Sequence, residues 1–465
     1  MLHYDDVLED FVGEFGTYQI ICYIVLGMTA IPTGLIIILP VFMYAWTNSW
    51  CKVPHMADIS QQFCIDNFTS NCEELVMNLT IPRERIDGEC GVTWAFSQCF
   101  RYNVTPSDWL TYAVEEPDIN SLINNTAIVP CDNGWDYDTS EYRSTVSQQF
   151  DLVCDRYYLN ALASSIFMSG QLIGCLVDGY IIDKLGRMKG LIITISGSLV
   201  FGIAQAFAPN YIIFSVLSFV LSACIYGVYL SGFVLACEYV GPSKRTTTGM
   251  IYPMFYSIGY MLLALLAYFV REWWILQLII VCPCILFLSY YWFIPESPRW
   301  LISMGRTQEA ERIIKQCAKV NGRSLPVDLF NDSWIKDSKE DISDQHKHGI
   351  LDLFRYSNMR KTTLILIYCW VTLNLAYYGI SYDTSNLGGN PYLNLFIAGA
   401  VEIPAYGLGI FAMESSVLGR RGSIMITFLF GGVSCICLAW LPPCKFTIHM
   451  GNGVKTMPVI CLAFI

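Results

Sequence analysis

Apolar runs long enough to cross a bilayer alternate along this chain with two long polar stretches. A spanning helix needs about 20 apolar residues. Runs of that kind fall at 17–45, 157–182, 190–208, 211–238, 247–270 and 273–294, and after a polar gap at 362–382, 391–413 and 422–441. A last apolar run opens at Met457 and is cut off at Ile465, so the sequence stops inside a helix. The pattern predicts an all-α membrane protein with six helices before a central loop and a second set after it.

The two polar stretches differ in character. Residues 46–156 carry the glycosylation acceptor sequences at Asn67, Asn78, Asn103 and Asn124 together with Cys51, Cys64, Cys72, Cys90, Cys99, Cys131 and Cys154. Four sequons in one Cys-rich, acidic loop predict a glycosylated extracellular segment. Its disulfide candidates are Cys51, Cys64, Cys90, Cys99, Cys131 and Cys154; the odd count leaves one thiol over, and the connectivity stays open. Residues 295–361 are instead rich in Lys and Arg, which marks the cytoplasmic side. The connections holding Lys184, Arg187 and Lys189, then Lys244 and Arg245, then Arg420 and Arg421, fall on that same side if every run spans. The expected order is a cytoplasmic N-terminus (1–16), a first span (17–45), the extracellular loop (46–156), spans two to six (157–294), the cytoplasmic loop (295–361), and spans seven to nine with a truncated tenth (362–465).

Composition narrows the class. At 54% hydrophobic and 14% charged residues the chain belongs in a lipid bilayer, and its net charge of -11 excludes nucleic acid as a partner. Most of the 19 cysteines sit in apolar runs as small buried hydrophobes. Asp5, Asp6, Glu9, Asp10 and Glu14 precede the first span where a signal peptide would be basic, so that span is read as retained. The connections Gly179–Arg187 and Leu418–Arg421 repeat one motif, which fits two pseudo-symmetric bundles meeting at a midplane site, the plan of a secondary transporter.

Specific motifs sharpen this. They include Asp5-Asp6-Val-Leu-Glu9, Gly13-Glu14-Phe15-Gly16, the stretch Cys131 to Asp138, Phe150 to Cys154, Glu238 to Arg245, Pro295 to Leu301, Asn386 to Asn394 and Val401 to Tyr406. In these the chain resembles the major facilitator superfamily and, within it, the organic ion transporter family of cation, carnitine and anion carriers. The resemblance runs from about residue 4 to about 441 and implies the superfamily fold, with the C-terminal bundle incomplete in this chain.

Glu402 lies midway along an apolar helix, where an ionised side chain costs on the order of 3 kcal/mol. Two readings stand: a carboxylate facing a central cavity toward a cation, or a structural partner of a neighbouring helix. Tyr252 and Tyr256 share one helix face, as do Trp370 and Tyr377, and aromatic faces hold ammonium groups. The resemblance places Trp370, Tyr377 and Tyr229 among cavity aromatics, and puts Tyr406 where anion carriers have Lys. Leu373 stands where some strict cation carriers have Asp, and Tyr378 and Gly379 are closer to the carnitine branch. Gln171 is a further candidate contact. For gating, the resemblance implies that Asp183, beside Lys184 and Arg187, caps a helix of the other bundle. Glu238 and Arg245, with Glu296 and Arg299 in the other half, and Arg420 resemble partners that close the cytoplasmic face. Asp178 departs from the family pattern and has no role in it.

The expected activity is secondary transport of small organic cations or carnitine-like zwitterions across the plasma membrane by alternating access. The alternatives are an organic anion carrier of the same family, a receptor or adhesion protein using the ectodomain, and an inactive truncated product. No phosphate-binding loop, nucleophile elbow or metal-ligand spacing points to an enzyme, a cofactor or a metal. The partners expected are the solute, a coupling sodium or proton, the bilayer, and a second copy through the ectodomain.

Overall fold

The computed structural model describes residues 4–53, 77, 80–88, 91–103, 126–325, 352–383 and 390–440. The candidates Asn67, Asn78, Asn124, Cys64 and Cys90, with Cys72 and the run from Met457, lie outside the described residues.

Among the described residues eight helices are long and apolar enough to cross a membrane: Thr17–Met43, Cys154–Leu185, Arg187–Ala206, Tyr211–Glu238, Arg245–Phe269, Trp273–Phe293, Ser357–Tyr382 and Pro391–Glu414. They are numbered here as the first to eighth spans. A further helix, Gly419–Trp440, follows them. The first span is not one continuous helix but three pieces, Thr17–Gly27, Ala30–Ile38 and Pro40–Met43. Pro32 has no N–H to offer Met28, whose carbonyl instead accepts from Ile31 at 3.3 Å, and Pro40 starts the last piece.

In lipid no hydrophobic driving force separates helix from solvent, so tight packing requires small residues where backbones approach. Gly34 of the first span lies against the backbone carbonyl of Tyr256, and Gly259 of the fifth lies against that of Ile31. A Cβ at either position would collide with backbone, which cannot swing aside. The second and fourth spans are joined in the same way through Gly170 and Gly174. Gly227 of the fourth span leaves room for the buried carboxyl of Asp178, one oxygen of which has no hydrogen-bond partner.

The segment between the first and second spans is built from short antiparallel pairs. Strand β1 (Ser49–Cys51) pairs with β6 (Trp135–Tyr137), β2 (Arg83–Gly88) with β3 (Gly91–Phe96), and β4 (Phe100–Tyr102) with β5 (Ile128–Pro130). Such pairs are too small to hold themselves. Disulfides Cys51–Cys131 and Cys99–Cys154 staple them, and Arg101 grips Asp132 through two 2.8 Å bonds. That guanidinium holds the Asp132 carboxyl below the usual carboxylate range. Asn103 is exposed just after β4.

After the sixth span, helix Thr307–Val320 packs Ile314, Cys317 and Ala318 against Val7, Leu8 and Val12 near the N-terminus. Burial pushes the Cys317 thiol up to about 12, so it sits there as an inert apolar group.

Gly34→Val and Gly259→Val are each expected to destabilise by roughly 1–3 kcal/mol through overpacking. The measurement is thermal unfolding of the detergent-solubilised chain, with Gly179→Ala, where nothing lies within reach of a Cβ, as the neutral control.

Candidate functional site

The eighth span carries Glu402 to the seam between the two halves of the chain. Its Oε1 accepts from the Tyr377 hydroxyl of the seventh span at 2.8 Å, and its Oε2 accepts from Ser257 Oγ of the fifth span at 2.5 Å. Two spans of the second half and one of the first thus converge on one carboxylate. Both hydroxyls donate, and no basic side chain bonds the carboxylate among the described residues. Pro404 and Pro253 break the helical ladder close by, and Ser257 sits one turn beyond Pro253.

Aromatic rings gather on the first-half side. Tyr229 of the fourth span meets Tyr252 edge-on at 5.3 Å and Tyr256 at 6.3 Å between centroids, and stacks on Phe233 at 6.3 Å. Tyr256 is half-buried, with its hydroxyl buried and unbonded. The ring of Tyr252 is fully buried, and its hydroxyl lies 3.3 Å from Thr29 Oγ1, so it packs the first span against the fifth. Tyr377 meets Tyr378 at 5.1 Å, and Tyr406 follows Glu402 by one helical turn. Trp370 is not brought to this cluster; its side chain is 62% exposed on the seventh span. Gln171 is buried in the second span, and its amide nitrogen has no partner.

The charges expected at the gate pair as follows. Arg187 forms a bidentate pair with Glu238 at 3.1–3.3 Å and also meets Asp183 at 3.1 Å. Asp183 is largely exposed and, among the described residues, pairs with Arg187 on its own connection. The capping carboxylate is Glu296, which accepts from the Met188 backbone N–H at 3.0 and 3.2 Å and so belongs with the first half, at the start of the third span. Gly186, with φ of +110°, makes the turn into that span, and Glu296 lies against it. Arg245 and Arg299 pair neither with Glu238 nor with Glu296 but with Asp5, at 2.5 and 3.5 Å. Lys184 lies over the Tyr180 ring, 5.5 Å from its centroid. Contacts between the halves on this face come from Arg420 to Thr246 at 3.2 Å and from Thr247 to Glu414 at 2.7 Å.

Ser257, Asp5, Glu414 and the Thr246–Thr247 pair escaped the sequence reading. A polar residue one turn past an intrahelical proline was a usable signal for Ser257, and the acidic N-terminal run was one for Asp5.

Residues 122–465 match the family described as sugar (and other) transporter. A β-alanine transporter of Drosophila melanogaster is 35% identical over 96% of this chain and 74% of its own length. Organic cation/carnitine transporter 2 of Homo sapiens is 33% identical over 95% and 76%, and an organic cation transporter protein of Drosophila melanogaster is 34% identical over 94% and 75%. Among solved structures, the major facilitator superfamily xylose symporter XylE superposes with a TM-score of 0.51 at 14% identity, over 90% of this chain and 75% of that one, which establishes the fold. With seam, spans and relatives in agreement, the chain belongs to the sugar and other transporter family of the major facilitator superfamily and is a multi-pass membrane transporter.

Proposed function

We propose that this carrier moves small organic cations, or zwitterions with an ammonium group, across the plasma membrane by alternating access, with Glu402 as its charge site. The observation that carries the reading is the placement of one carboxylate between halves, held by two hydroxyl donors and by no cation. Hydroxyls from Tyr377 and Ser257 offset part of the cost of the charge, and leave its demand for a positive partner unmet. An ammonium group supplies that partner. Each Tyr face presented to it adds about 0.5–2 kcal/mol. Tyr229, Tyr256, Tyr377 and Tyr406 are the rings and hydroxyls assigned to it, with Trp370 and Gln171 reached only if the halves move.

Relatives named for organic cations, carnitine and β-alanine share an ammonium or amine as common chemistry, which supports the same class here. An anionic solute is disfavoured, since the residue one turn from Glu402 is Tyr406 rather than a basic side chain. The pairs of Arg420 with Thr246 and of Thr247 with Glu414 are assigned to gating, because they join the two halves, while Arg187 with Glu238 braces the first half from within.

Cells expressing the chain should accumulate radiolabelled tetraethylammonium, and Glu402→Gln should lower that uptake by about tenfold or more at equal surface amount. Unchanged uptake in the Gln variant would sink the site assignment. Tyr377→Phe removes one donor and should cost severalfold, on the order of 1 kcal/mol. Asn103→Gln should remove one glycosidase-sensitive step in electrophoretic mobility, which fixes the side of the bilayer on which β4 lies; an unaltered mobility ladder would remove Asn103 from the acceptors.

A further inference from the structure

The acidic run at the N-terminus takes no part in a solute site, yet the fold lays it across the cytoplasmic connections of the first half. Asp5 accepts from both amino nitrogens of Arg245, at 3.2 and 2.5 Å, and lies 3.5 Å from Arg299. Tyr4 donates from its hydroxyl to the Glu238 carbonyl at 3.2 Å. Glu14 binds Ser243 through the Ser backbone N–H at 3.3 Å and through its hydroxyl, while the Glu14 carbonyl accepts from Gly241 at 3.0 Å. Val7, Leu8 and Val12 close the other side against helix Thr307–Val320, whose following residue Asn321 accepts from Tyr18 N–H at 3.0 Å.

Arg245 is the first residue of the fifth span, and that span carries Ser257 three turns further on. The next two residues of that first turn, Thr246 and Thr247, bond Arg420 and Glu414 of the second half, so where Arg245 is held bears directly on the seam. Arg245 also donates from Nε to the Val240 carbonyl at 3.1 Å, so its guanidinium is fixed at both ends. With the Asp5 and Arg245 side chains only about a third exposed or less, bulk salt screens the pair less than a surface bridge. The bidentate geometry is the strong form of a guanidinium–carboxylate contact.

We propose that Asp5 is a positioning residue for transport: its carboxylate holds Arg245 and Arg299 together and thereby sets where the fifth span stands against the second half. The N-terminal helix is then a strap on the gate, and its release frees two arginines at the cytoplasmic face. The claim rests on the chain being a carrier and is independent of which solute it carries.

The test uses the full chain in lipid nanodiscs, with backbone hydrogen exchange followed by mass spectrometry. In Asp5→Asn, exchange over residues 240–248 should rise by about tenfold, the loss of a charged hydrogen-bonded pair. Asp5→Glu should stay near the wild type, Arg245→Gln should match Asp5→Asn, and the double variant should be no worse than either. In cells, the maximal rate of tetraethylammonium uptake should fall severalfold in Asp5→Asn at equal surface amount, with the half-saturating concentration within about twofold of wild type. Faster exchange confined to residues 4–12, or additive losses in the double variant, would overturn the proposal. Should Asp5→Asn fail to fold, raised salt on the wild-type chain reads the same pair, and exchange over 240–248 that ignores salt from low to molar would overturn it. Absence of tetraethylammonium uptake by the wild type counts against the cation reading alone, because the exchange measurement decides on Asp5 without a solute.

Discussion

A carboxylate inside a bilayer has to be compensated, and how Glu402 is compensated governs the rest of the molecule. Burial of such a charge costs on the order of 3 kcal/mol even on insertion scales, and two neutral donors return only part of that. A guanidinium would have satisfied it fully and locked the fifth, seventh and eighth spans together. Two hydroxyls hold the side chain in place without neutralising it. The same seam is where the two halves must slide for a carrier to work, so a partner that leaves charge unmet and breaks easily suits this position better than an ion pair.

The interior of the first half is built on the opposite principle. Gly34 and Gly259 bring backbones of the first and fifth spans into contact, and Gly170 and Gly174 do so for the second and fourth. Tyr252, buried between Thr29, Tyr23 and Tyr229, fills the remaining space. Packing of this kind tolerates little deformation, so motion is directed to the seam and to the cytoplasmic connections. There, long charged side chains replace small residues: Arg187 with Glu238, Arg245 and Arg299 with Asp5, and Glu296 on the third span.

Much of this was legible in the sequence, and the misses have physical causes. Hydrophobic length is readable because the hydrocarbon core imposes it, and a lone Glu in an apolar helix draws attention because its cost has to have a reason. The breaks in the first span follow from Pro32 and Pro40, although their effect on its course needed coordinates. Helix periodicity says which residues share a face but not which neighbour that face meets. Hence the ring of Tyr252, a candidate solute contact, lies fully buried beside Thr29, while Trp370 and Tyr377 share a face and, of the two, Tyr377 reaches Glu402. Asp5 and Arg245 lie 240 positions apart, and no local pattern links two charges at that separation. The pairing of Cys51 with Cys131 and of Cys99 with Cys154 was undetermined for the same reason.

Asp178 shows why location, rather than charge alone, bears on the role proposed for Glu402. It too is buried in the membrane region, yet it lies wholly within the first half, against Gly227 of the fourth span, with the Thr194 side chain of the third span packed against the same glycine. The Thr194 hydroxyl is already spent on the carbonyls of Gly190 and Leu191, and one oxygen of Asp178 finds no donor. All three spans around it belong to one tightly packed half, so a rocking motion carries the group and its surroundings together and leaves its environment unchanged. Glu402 has donors in both halves, and any relative movement alters its bonds. A solute charge bound there is therefore coupled to the motion, whereas one at Asp178 would not be.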